Sequence, residues 1–121
     1  MVDVSVQQDR VVFEVEHIDK LWSLRSRLEI PVDHIKAAHI DTHPAMGLLQ
    51  GSKVAGTDVP NFFKAGTFYQ DGGLVFWDVR HAEHTIVVEL IHERYHKLVI
   101  EVADSEAAVK LINGAIASRR A

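Results

Sequence analysis

Five residues, His92-Glu-Arg-Tyr-His96, match the pattern H-E-x-x-H. On a helix, histidines four apart project together and hold one zinc while the glutamate activates its water. The flanks here argue for a different backbone. Ile86, Val88 and Leu90 alternate with Val87 and Glu89 before the motif, and Leu98, Ile100 and Val102 alternate with Val99 and Glu101 after it. Period two is the signature of a half-buried strand. Arg94 and Lys97 add charges, and Val99 stands where the longer metalloprotease motif takes glycine. The segment is therefore read as a polar connection, His92–His96, between two strands, and the motif as coincidence.

Four of the other six histidines fall in two pairs, His39 with His43 and His81 with His84. Residues four apart on a strand share a face but stand ~13 Å from each other, too far to chelate one ion. His81-Ala-Glu-His84 lies on an expected turn and is the better-placed pair. The metal candidates are thus His81, His84, His92 and His96, each with solvated imidazole as the favoured reading and no metal or cofactor expected. No serine or threonine sits in a nucleophile elbow, and Gly51-x-x-x-x-Gly56-Thr lacks the lysine of a phosphate loop. Asp33, Asp41, Asp58 and Asp78 are read as surface carboxylates, and Trp22 and Trp77 as core aromatics. No catalytic or ligand-binding residue is assigned.

These residues need elements to position them. Val2, Val4 and Val6, then Val11, Phe13 and Val15, alternate with mostly polar residues and form two strands joined at Gln7-Gln8-Asp9-Arg10. Ile18, Leu21, Trp22, Arg25 and Leu28 recur at helical spacing, so a short helix is expected up to Pro31. A strand is expected over Lys36–Thr42, with Ala38 and Ile40 inward. From His43 to Lys64 no period holds. Ala65–Gln70 and Leu74–Arg80 form a hairpin about Asp71-Gly72-Gly73, with Val75, Trp77 and Val79 on one face. Asp104 caps a last helix whose stripe is Ala108, Leu111, Ile112 and Ala115, with Arg119 and Arg120 at its negative end and Gly114 inside it. Val12, Val87 and Val99 occupy the otherwise polar phase of their strands, which marks them, with the strand edges, as self-association candidates.

About seven antiparallel strands, an early short helix and a C-terminal helix make an α+β chain, mainly antiparallel β. Hairpin-joined strands exclude a doubly wound sheet and leave a barrel or orthogonal sandwich capped by the last helix. One domain, 1–121, is expected from the length. The absence of cysteine excludes disulfides and thiolate chemistry. No apolar run approaches a membrane span and no secretory leader is seen, so a cytoplasmic location is expected. A net charge of −4 argues against a strong grip on nucleic acid or anionic lipid.

The element order, with Arg27-Leu-Glu-Ile-Pro-Val-Asp-His-Ile35, the Gly66-Thr-Phe and Gly72-Gly73 hairpin, Val75-Phe-Trp-Asp-Val-Arg80 and Arg94-Tyr-x-x-Leu-Val-Ile-Glu-Val102, resembles bacterial pleckstrin-homology-like (PH-like) domains. The resemblance implies a PH-like barrel or sandwich of largely unassigned function that tends toward self-association. Eukaryotic relatives of this fold bind phosphoinositides through a basic first hairpin. Here that hairpin offers Arg10 beside Asp9, so no phosphoinositide binding is expected. The expected function is a non-enzymatic interaction module for a protein partner or for further copies of itself. The alternative is a small-ligand binder or enzyme with segment 43–64 as a lid.

Overall fold

A computed structural model describes residues 1–15, 27–42, 64–70 and 72–120. Among them are eight strands: β1 Val2–Gln7, β2 Arg10–Val15, β3 Arg27–Pro31, β4 Ile35–Ile40, β5 Lys64–Gln70, β6 Gly73–Val79, β7 Thr85–Leu90 and β8 Tyr95–Glu101. One helix, α1, spans Ser105–Arg120. Single 3-10 turns at Val32–His34 and Ala82–His84 lead into β4 and β7. The strands form two sheets, β1-β2-β3 and β4-β7-β8-β6-β5, and neither closes into a barrel.

Several expectations hold. β1 and β2 pair with Gln7 opposite Arg10, which leaves Gln8 and Asp9 as the turn. Gln8 adopts a φ of 57°, the left-handed conformation a two-residue hairpin turn asks for. At the β5–β6 hairpin the two glycines have different reasons. Gly72 has a φ of 84°. Gly73 is approached by the His96 ring, whose Cδ2 would lie 2.8 Å from an added Cβ.

Three expectations are corrected. The last part of the helix expected up to Pro31 is instead strand β3, on which Leu28 and Ile30 are buried while Arg27 and Glu29 are exposed. Residues 16–26, with Trp22, lie outside the described residues. The sheet is not wholly antiparallel, because β8 inserts between β7 and β6 and runs parallel to β6. The connection His92–His96 is shorter than expected, since Tyr95 and His96 already belong to β8. Segment 43–64 lies outside the described residues except for Lys64, which starts β5.

The main core draws Val2, Val11, Phe13 and Val15 from the first sheet, Ile86, Val88, Leu98 and Ile100 from the second, and Ala108, Ile112 and Ile116 from α1. Burial of this kind stabilises by about 25 cal/mol per Å2 of apolar surface and dominates the folding free energy. A second cluster, Val75, Trp77, Val79, Val87 and Val99, lies on the other phase of the second sheet, with Phe68 against it. That cluster explains why β6, β7 and β8 read as near-continuous apolar runs: both faces are covered. Val12, Val87 and Val99 are accordingly only 1%, 5% and 3% exposed, so these three valines are core residues and present no surface for self-association. Ile40 and Leu111, expected inward, are both 41% exposed, and Ile116 takes the buried place that Leu111 was expected to hold.

Candidate functional site

The HExxH residues are separated by the backbone. His92, at a φ of 58°, sits in the turn after β7, and His96 lies on β8 with its Nε2 3.0 Å from the Gln70 carbonyl oxygen. Because β4 pairs with β7, Ile35 opposite Leu90, the turn after β7 meets the 3-10 turn before β4. There Ile91 N donates to the His34 carbonyl, and His34 Nδ1 lies 2.5 Å from Glu93 Oε2. The His34 and His92 rings meet edge-on, 5.9 Å between centroids. His34 was not singled out in the sequence, since nothing local ties it to Glu93, 59 residues away. Among the described residues no three His, Asp or Glu side chains converge in a metal-binding group.

The second histidine pair is also divided. β6 and β8 run parallel, so both end at the same rim of the sheet, and Glu101 at the end of β8 faces the chain leaving β6. Its Oε1 accepts from Arg80 N at 2.7 Å and His81 N at 2.9 Å, and its Oε2 lies 2.9 Å from His81 Nδ1. Burial acts to raise the Glu101 pKa. The bonds from the His81 ring and from the two backbone N–H groups outweigh it and hold the carboxyl below its ordinary value. The same bond, with the carboxylate charge, raises the His81 pKa. This is a clamp on the β6–β7 connection. The His84 side chain is exposed and its backbone serves the turn, accepting from Val102 N.

The carboxylates do not assemble either. Asp33 pairs with the Arg119 guanidinium through two bonds of 3.1 and 3.2 Å, which holds its carboxyl below the ordinary value and ties the end of α1 to the turn before β4. Asp78, expected on the surface, is buried on β6 and lies 3.3 Å from the Met1 ammonium. Asp58 and His43 lie outside the described residues. His39 is exposed on β4. Open grooves flank α1. One, of about 610 Å3, runs past Val6, Asp9, Leu111 and Arg119; another, of about 820 Å3, past Ile40, Asp104, Val109 and Asn113. Neither gathers a nucleophile, a base and an orienting partner, the constellation that acid–base or covalent catalysis needs.

What the described residues do present is a set of strand edges, each a row of backbone donors and acceptors that another chain can pair with. β4 is closed by its own helix. Asn113 Oδ1 accepts from Ala38 N at 3.1 Å and its Nδ2 donates to Ala38 O at 2.9 Å, the two bonds an added strand would make at that residue. β3 is blunted by Arg27, Glu29 and Pro31. β1 carries Asp3 and has α1 packed against it. β5 begins with Lys64, is uncharged from Ala65 to Gln70, and holds Tyr69 77% exposed. Among the described residues no helix is long and apolar enough to cross a membrane. Comparison with protein-family models, with curated proteins and with solved structures found no match.

Proposed function

We propose that this chain is a PH-like interaction module that binds a protein partner, further copies of itself included, and has no catalytic chemistry of its own. The observation that carries the reading is on β5, which is uncharged from Ala65 to Gln70 and holds Tyr69 77% exposed, beside the lack of any assembled catalytic set among the described residues. Tyrosine is among the side chains enriched where protein interfaces concentrate their binding energy. The PH-like part of the reading rests on the resemblance of its sequence motifs to bacterial PH-like domains.

Light scattering over a concentration series tests the reading. The wild-type chain is expected to exceed its 13.6 kDa monomer mass as concentration rises. Tyr69→Lys, which places a charge on the edge as natural sheets do to keep edges apart, is expected to hold that mass down. A wild-type chain that stays at 13.6 kDa to high micromolar concentration refutes self-association through this edge.

A further inference from the structure

We infer that Asn113-Gly114 is a modification site: folding shields the amide that latches α1 to β4 from loss of ammonia, and its conversion to aspartate or isoaspartate releases the latch. The inference goes beyond the interaction-module reading and stands without it. Asparagine followed by glycine is the pair in which a chain attacks itself most readily, because no side chain on the second residue obstructs the approach of its backbone nitrogen. Both residues are exposed, and nothing lies within 4 Å of where a Cβ on Gly114 would stand. In the reaction the Gly114 nitrogen attacks Asn113 Cγ. A C–N bond forms, the Cγ–Nδ2 bond breaks, and Nδ2 leaves as ammonia with the proton that Gly114 N gives up. Water then opens the resulting succinimide at either carbonyl, which leaves aspartate or isoaspartate. No other reactant takes part.

The folded geometry holds this reaction back. Within α1 the Gly114 N–H is bonded to the carbonyl four residues back, so its nitrogen is not turned to the side chain of its neighbour. The amide itself is turned to the sheet: Oδ1 accepts from Ala38 N at 3.1 Å and Nδ2 donates to Ala38 O at 2.9 Å. Attack therefore waits for a local opening of α1 at this residue, and its rate follows the population of that open form. The product does not restore the latch. An aspartate carboxylate only accepts, so it meets Ala38 N, leaves Ala38 O without its donor and sets a negative charge against that carbonyl. Isoaspartate goes further, since the main chain then runs through the former side chain and gains a methylene that the helix ladder does not accommodate. The change runs one way, so α1 keeps a record of its departures from β4.

Trypsin cuts after Lys110 and Arg119, so a peptide of residues 111–119, in which Asn113 is the only side-chain amide, reports on the site alone. Protein is held in warm, mildly alkaline buffer with and without guanidinium chloride and then digested. Mass spectrometry follows the fraction of that peptide that has gained about one mass unit, the exchange of an amide for a carboxyl. Conversion is expected in guanidinium and is expected to be at least about tenfold slower in native buffer. Gly114→Ala is expected to slow conversion in guanidinium at least about tenfold, an effect on an unfolded chain that a merely structural role for this glycine would not produce. Asn113→Asp, which stands in for the product, is expected to unfold at a lower urea midpoint than wild type. No conversion in guanidinium, equal rates with and without it, or Asn113→Asp as stable as wild type each overturns the proposal. None of these results bears on the β5 reading, which is decided by the wild-type mass.

Discussion

Asn113 and Gly114 are neighbours on α1, and the structure assigns them opposite signs. Asn113→Ala removes two partly buried bonds to the Ala38 backbone, of 3.1 and 2.9 Å. Each is worth about 0.5–1.5 kcal/mol net, so the loss is about 1–3 kcal/mol. Alanine is the better helix former by at most about 0.7 kcal/mol, which offsets part of it. The expected result is a destabilisation of about 1–2 kcal/mol, read as a lower urea midpoint with an unchanged slope. Gly114→Ala meets nothing within 4 Å of the added Cβ. It is expected to stabilise by about 1 kcal/mol, because the helix gains propensity and loses no contact. Urea unfolding followed by circular dichroism decides both. Helix propensity alone predicts that both variants are more stable than wild type. Asn113→Ala at or above wild-type stability would therefore refute the latch on β4.

The clamp at Glu101 predicts a pH dependence. The folded pKa of His81 is raised above the ordinary 6.5 by Glu101, so the stability it contributes is fully present below about 6.5 and is lost as pH rises through the folded value. The gap in melting temperature between wild type and His81→Ala should thus be wider near about pH 5.5 than near about pH 8.5, and a gap that widens upward would contradict the clamp. Thr85 is fully buried on β7 and its Oγ1 has no hydrogen-bond partner. Thr85→Val, nearly the same shape without the stranded hydroxyl, is expected to stabilise by about 1 kcal/mol in the same urea assay, and a destabilisation of that size would show that the hydroxyl is in use.

Local pattern carried much of this architecture and none of its long-range pairing. The β1–β2 turn, the β5–β6 hairpin and the Asp104 cap, whose Oδ1 accepts from Ala107 N at 3.1 Å, depend on residues within a few positions of one another. β3 was hidden because Leu28 completes a helical spacing begun at Ile18, and only five residues, Arg27–Pro31, carry the competing period of two. The parallel β6–β8 pair leaves no local mark, since either neighbour of β8 satisfies the same alternation. Val12, Val87 and Val99 signalled that both faces of their strands are apolar. That signal is equally compatible with an interface and with a second cluster inside the chain, and the chain itself buries them. Glu101 and Asn113 sat in plain view as polar residues in apolar elements, a glutamate closing a β-branched run and an amide in a helix interior. A buried or edge-facing role explains each better than solvation does. Their partners, 20 and 75 residues away, are supplied by topology alone.

Amide hydrogen exchange on wild-type protein, run at a low and at a high chain concentration, tests the β5 edge most directly. The account predicts added protection at high concentration confined to β5, with β1, β3 and β4 unchanged and with the added protection absent in Tyr69→Lys. Exchange in β5 that is the same at both concentrations while the mass doubles, or new protection that falls on another edge, would contradict it.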